Sequence, residues 1–185
     1  MTWQADAIPY IVNSFTVNTG TTLTIQAGAV VKFLSSTSAI TVQGSLITQG
    51  TQASPVVFTA MSDNTVGGSN TFSGFPATSW RRIYISPGST GSQLTYTNLK
   101  YGGSTYNEAA LYVKQSDVQV SNLTISNTVS SQPAIYSYSG AITGSGVTLT
   151  DNTYGFYVKT GDCPALSSVT VTGTLLHPSS SACSF

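Results

Sequence analysis

The feature that most constrains this chain is an internal repeat. ALYVKQSDVQVSNLTISNT from Ala110, AIYSYSGAITGSGVTLTDNT from Ala134 and GFYVKTGDCPALSSVTVTGT from Gly155 superimpose at offsets of 24 and 21 residues. RIYISPGSTGSQLTYTNLKY from Arg82 shares their register. A fixed period of this size means stacked supersecondary units, each burying its apolar face against the next. Within each unit apolar residues alternate over short runs, as in Val118-x-Val120 and Val169-x-Val171. That two-residue period belongs to strands with one buried face, and neither a leucine skeleton nor a 3.6-residue pattern competes with it. The units therefore read as coils of a β-solenoid.

The corner after the second strand carries Asn98, Asn122, Gly146 and Gly173 at spacings of 24, 24 and 27, and Gly20 and Gly44 extend the column upstream. Gly and Asn tolerate the left-handed backbone conformation, so the column is expected to be a stack of one-residue turns, with Asn amides bonding backbones one coil away. It counts six coils in a single domain, 1–185, with an insertion at 63–79 between the second and third. Cys163 and Cys183 flank a C-terminal stretch, 163–185, expected to be a disulfide-closed cap. Closing that loop would contribute about 3 kcal/mol.

Composition narrows the function classes. Only 6% of the 185 residues are charged, six of each sign, which leaves no long-range field to attract nucleic acid. With 40% hydrophobic residues the chain is nonetheless too apolar to stay unfolded. No apolar run is long enough to span a membrane. A disulfide together with Ser- and Thr-rich, weakly charged surfaces suits an extracellular or cell-surface location. The start, Met1-Thr2-Trp3-Gln4, lacks the basic and apolar regions of an export signal, so such a signal is expected to lie upstream.

The runs IPYIVNSFTVNTGTTLTIQAGAVVKF and ITVQGSLITQGTQASPVVFTA, followed by Trp80 ahead of Ile83-Tyr84, resemble the right-handed parallel β-helix repeats of bacterial secreted and surface proteins, distantly akin to pectate lyases. The resemblance extends from Ile8 to about Leu175. It implies an all-β right-handed parallel β-helix and a surface location, with no catalytic residues carried over. Where that family usually reads Gly-Gly-Ile after the Trp, this chain has Arg81-Arg82-Ile83, so a changed backbone path or partner-facing arginines are expected.

Enzymes on such a fold cluster carboxylates on neighbouring coils. The acids here are Asp6, Asp63, Glu108, Asp117, Asp151 and Asp162, and no two align on adjacent coils. His177, the single histidine, lies beside Pro178 in the C-terminal stretch, so a triad or histidine metal site would have to be built on one loop residue; a plain surface histidine is expected instead, with no metal or cofactor. The stretch Asp63–Asn70 has one carboxylate and reads as a flexible tip, and the sequon Asn122-Leu123-Thr124 as a structural corner.

The outward residues of the first strands are the best functional candidates. Tyr84, Tyr112, Tyr136 and Tyr157 should stack in one exposed column, with Tyr138, Lys114 and Lys159 beside them. Flat rings with hydroxyl tips offer a platform for a glycan or a protein surface, including a second copy of the chain. A non-catalytic structural or adhesive module is the leading expectation. A polysaccharide lyase or hydrolase is one alternative. An ice-binding surface built on the outward pairs Thr95/Thr97, Gln119/Ser121, Thr143/Ser145 and Thr170/Thr172 is the other.

Overall fold

The computed structural model describes residues 1–68, 78–104, 109–129, 131–160, 163–175 and 183. A lead-in pair, β1 (Thr2–Trp3) and β2 (Tyr10–Val12), precedes the coils. Coil one holds β3 (Ser14–Val17), β4 (Thr22–Gln26) and β5 (Val30–Phe33), and coil two holds β6 (Ala39–Val42), β7 (Ser45–Gln49) and β8 (Val56–Ala60). Coils three and four comprise β9 (Arg82–Ile85) with β10 (Ser92–Lys100), and β11 (Leu111–Lys114) with β12 (Asp117–Ser126). Coils five and six comprise β13 (Pro133–Tyr138) with β14 (Ala141–Thr150), and β15 (Tyr154–Val158) with β16 (Ala165–Thr172).

Every strand pairing is parallel, and strands stack on the equivalent strand of the next coil. The result is an all-β parallel solenoid of six coils, as the repeat predicts. It has three faces. The first stacks β3, β6, β9, β11, β13 and β15. The second stacks β1, β4, β7 and the front halves of the four long strands, while the third stacks β2, β5, β8 and their back halves.

Two columns of left-handed residues shape the later coils. Tyr96 (φ 41°), Asn122 (54°), Gly146 (70°) and Ser168 (62°) stand at the bend between the second and third faces. Tyr101 (63°), Asn127 (54°), Asp151 (53°) and Gly173 (60°) end the third face. The single column expected from sequence mixed these two. Asn122 and Gly146 belong to the first and Gly173 to the second, while Asn98 is an ordinary strand residue paired with Val57 and Thr124. Gly20 is left-handed (73°), but Gly44 is not. Gly44 is needed for room instead, since a Cβ there would lie 2.1 Å from the Thr21 carbonyl oxygen.

The bend also resets the side-chain alternation. Along β12, Val118 and Val120 point inward before Asn122, and Leu123 and Ile125 after it. The expected bonding of Asn122 to neighbouring backbones is replaced by a contact from its amide to Ser121 Oγ at 3.3 Å. The amide that bridges coils is Asn152, 3% exposed, which donates to Ile125 O at 2.8 Å and accepts from Thr128 N at 3.1 Å.

The interior is a continuous apolar column. Phe33 stacks on Trp80 at 4.2 Å between ring centres in the early coils, and Val147, Leu149, Ile125 and Leu123 fill the later ones. Trp3 stacks on Tyr10 at 4.8 Å and meets Phe15 edge-on at 5.1 Å at the start of the solenoid. The disulfide joins Cys163 to a buried Cys183. The stretch expected as a cap contains β16, a regular strand of the sixth coil; 176–182, with His177, lie outside the described residues.

Candidate functional site

The first face brings the four tyrosines into register. Tyr84 pairs with Tyr112, Tyr112 with Tyr136, and Tyr136 with Tyr157, because each coil repeats an inward-outward-inward triplet at this place. Their flanking residues Ile83, Ile85, Leu111, Val113, Ile135 and Phe156 are all buried inside. Ring centres lie 5.1, 4.6 and 4.9 Å apart along the column.

The column is not the freely exposed row expected from sequence. Tyr136 is 7% exposed, set edge-on against Tyr112 and stacked on Tyr157, while Tyr84, Tyr112 and Tyr157 are half-buried. Large rings only one coil apart close over one another and leave edges and hydroxyls outside. Burial accordingly pushes the Tyr136 phenol up to about 12, with the three neighbouring tyrosines adding to it. Burial also raises Tyr84, against the pull of Arg82. The Arg82 guanidinium lies 4.4 Å from the Tyr84 ring centre and 5.2 Å from that of Tyr112. β9 stays regular there, so the arginine that departs from the family pattern extends the aromatic column with a cation.

Two residues beyond Tyr112, Tyr136 and Tyr157, at the next outward position, Lys114, Tyr138 and Lys159 follow each other on coils four, five and six, Lys159 just past the end of β15. The two ammonium groups lie 5.4 and 4.9 Å from the Tyr138 ring centre, so two cations flank one phenol at the edge of the aromatic column.

A second polar cluster lies on the outside of the third face and escaped sequence reasoning. Lys32, Thr59 and Lys100 are register equivalents on coils one, two and three. The segment after β8 folds back over them, so Lys32 is fully buried although its strand position points outward. Its ammonium donates to the carbonyls of Asp63 and Gly68, both at 2.9 Å. Asp63 accepts from Thr59 Oγ1 at 2.7 Å, Thr65 N at 3.0 Å, Thr65 Oγ1 at 2.5 Å and Lys100 Nζ at 2.9 Å. Burial works against the charge on Asp63, but these bonds outweigh it and hold the carboxyl below its usual range. Burial lowers Lys32, with Asp63 pulling partly the other way. Residues 63–68, expected as a flexible tip, are thus a strap pinned across three coils; 69–77 lie outside the described residues. The available signal was Lys32, an outward lysine by alternation, two coils before Lys100.

The threonine pairs do not form one array. Thr97 is fully buried and bonded to Thr48 Oγ1 at 2.6 Å, because the bend at Tyr96 reverses the alternation. Thr95 lies on the second face and Thr170 and Thr172 on the third. The outward pairs expected to form one array are therefore split between the two faces, with Thr97 inside.

Among the described residues no three of His, Cys, Asp and Glu come together as a metal site. Asp117 accepts from Ala141 N at 3.2 Å, and Asp151 Oδ1 overhangs Gly173, where an added Cβ would meet it at 2.4 Å. Glu108 and Asp162 lie outside the described residues. No described helix is long and apolar enough to cross a membrane. In comparison with known proteins, residues 1–128 match the family described as a pectate-lyase-like β-helix domain. No curated protein and no solved structure matched.

Proposed function

The chain belongs to the pectate-lyase-like β-helix family, and on that premise we propose that it is a non-catalytic extracellular adhesive module whose first face holds an anionic partner. The observation that carries this reading is the column Lys114, Tyr138, Lys159, with both ammonium groups facing one phenol beside the tyrosine stack. Cations next to aromatic edges suit the carboxylates of an acidic glycan or of a protein surface. The self-packed rings give this face a rigid backing, so binding there costs little ordering. A non-catalytic role is supported by the way the described acids are used. Asp63 holds the strap, Asp117 at the start of β12 accepts from Ala141 N of the next coil, Asp151 ends the third face beside Gly173, and Asp6 accepts from Ala7 N in the lead-in segment. The disulfide is consistent with an oxidising compartment.

The test is binding to surfaces coated with polygalacturonate, alginate or a carboxylated protein. The parent is retained on at least one and released by salt, since exposed charges are screened within about 8 Å at physiological ionic strength. The triple variant Lys114→Ser, Tyr138→Ser, Lys159→Ser keeps its fold and loses retention. Equal retention of parent and triple variant would refute the assignment.

A further inference from the structure

We propose that the groove along the bend between the second and third faces is a separate binding site, for a neutral glycan chain lying parallel to the solenoid axis. Gln52, Pro55, Tyr96, Asn98, Asn122 and Thr124 line it, and Gly146 and Thr148 continue it onto coil five. No lining residue is charged, so an ionic ligand would find no counter-charge there. The amides and hydroxyls supply donors and acceptors side by side, which is the complement of a sugar's hydroxyls.

Three details shape it for a chain of rings. Coil two replaces the one-residue bend with the longer connection between β7 and β8, and Gln52 and Pro55 from that connection wall one end. Glycine at position 146 keeps the floor open, because a Cβ there would meet Asn122 Oδ1 at 2.8 Å. Third, Tyr96 holds the left-handed bend at φ 41°, where the following coils use Asn, Gly and Ser. A bulky side chain is strained in that region, and strain kept where glycine would relieve it points to use of the ring. Tyr96 and Pro55 thus offer apolar surfaces against which a pyranose can stack, with amides at its edges. The repeat of the groove is about 4.8 Å per coil, close to the rise of one sugar in an extended chain.

The experiment is electrophoresis of the folded chain in native gels containing hydroxyethyl cellulose, laminarin or dextran, against a gel without polymer. The parent is slowed in at least one of the three. Tyr96→Gly loses that retardation while its Tm stays level or rises, because glycine is relaxed at this φ. Asn122→Gly weakens the retardation. The first-face triple variant keeps it, which separates this site from the anionic one. Absence of retardation of the parent in all three gels would overturn the proposal. So would undiminished retardation in Tyr96→Gly, or a lowered Tm there, which would make the ring a packing element.

Discussion

In coil two the chain passes from the second face to the third through the connection from Gly50 to Pro55; in coil four it does so on Asn122 alone. The two regions differ throughout. The early coils enclose Phe33, Phe58 and Trp80, and their third face is roofed by the strap, with Thr59 fully buried and Val57 6% exposed. The later coils enclose mainly Val, Leu and Ile, with Phe156 in coil six, and among the described residues no strap covers their third face, which is half-buried at Thr124, Ser126, Thr148 and Thr150. The wide corner of coil two accompanies large interior rings and a covered outside; the one-residue corners of coils four to six accompany mainly aliphatic interiors and a half-exposed outside. Stability is therefore expected to be invested differently along one solenoid, in bulk and buried charge early and in backbone geometry late.

The sharpest way to break that contrast is Trp80→Ala. The indole is fully buried, stacked on Phe33, and donates to Lys100 O at 2.6 Å. Its loss should cost about 4 kcal/mol in urea denaturation. A cost near that of a surface substitution would mean the early core is not held by its rings.

Asp63→Asn comes next, at about 3 kcal/mol at neutral pH, because it removes the carboxylate paired with Lys100 and takes away the negative charge near buried Lys32, whose own bonds go to backbone carbonyls. The folded carboxyl titrates below its unfolded value, so its contribution is complete above about pH 4 and fades as pH falls through the folded value. Parent and variant should converge only in strong acid. A gap that closes already near neutrality would assign the stabilisation to another group.

The late region is probed by a pair. Asn122→Val forces a β-branched residue to φ 54° and should cost about 1 to 2 kcal/mol. Asn98→Val, on a half-buried strand position of the preceding coil, should change stability by less than about 0.5 kcal/mol. Equal costs at the two positions would restore the single column read from spacing.

These residues also mark how far the sequence was legible. The solenoid, its parallel stacking, six coils and the register of the four tyrosines follow from repeat and alternation, which are properties of single strands and their period. The ladder was misassigned because spacings of 24 and 27 cannot separate two left-handed columns that lie five residues apart, as Gly146 and Asp151 do. Thr97 was placed outside by carrying the alternation through Tyr96, where it changes phase. The closing of Tyr136 within its stack and the burial of Lys32 beneath the strap depend on what packs across coils. Local pattern carries no record of that.

The bend at Asn122 has a consequence for insertions and deletions. Remove that one residue and Val118, Val120, Leu123 and Ile125 fall into an unbroken alternation, the pattern of a straight strand. Each late coil is thus one residue away from a chain that no longer turns, and its back half would then lie where nothing pairs with it. Deleting a residue between Gly50 and Pro55 only shortens a connection. Length changes should accumulate in the early corners of this solenoid, while the late ones keep their length and vary only in which left-handed residue they use.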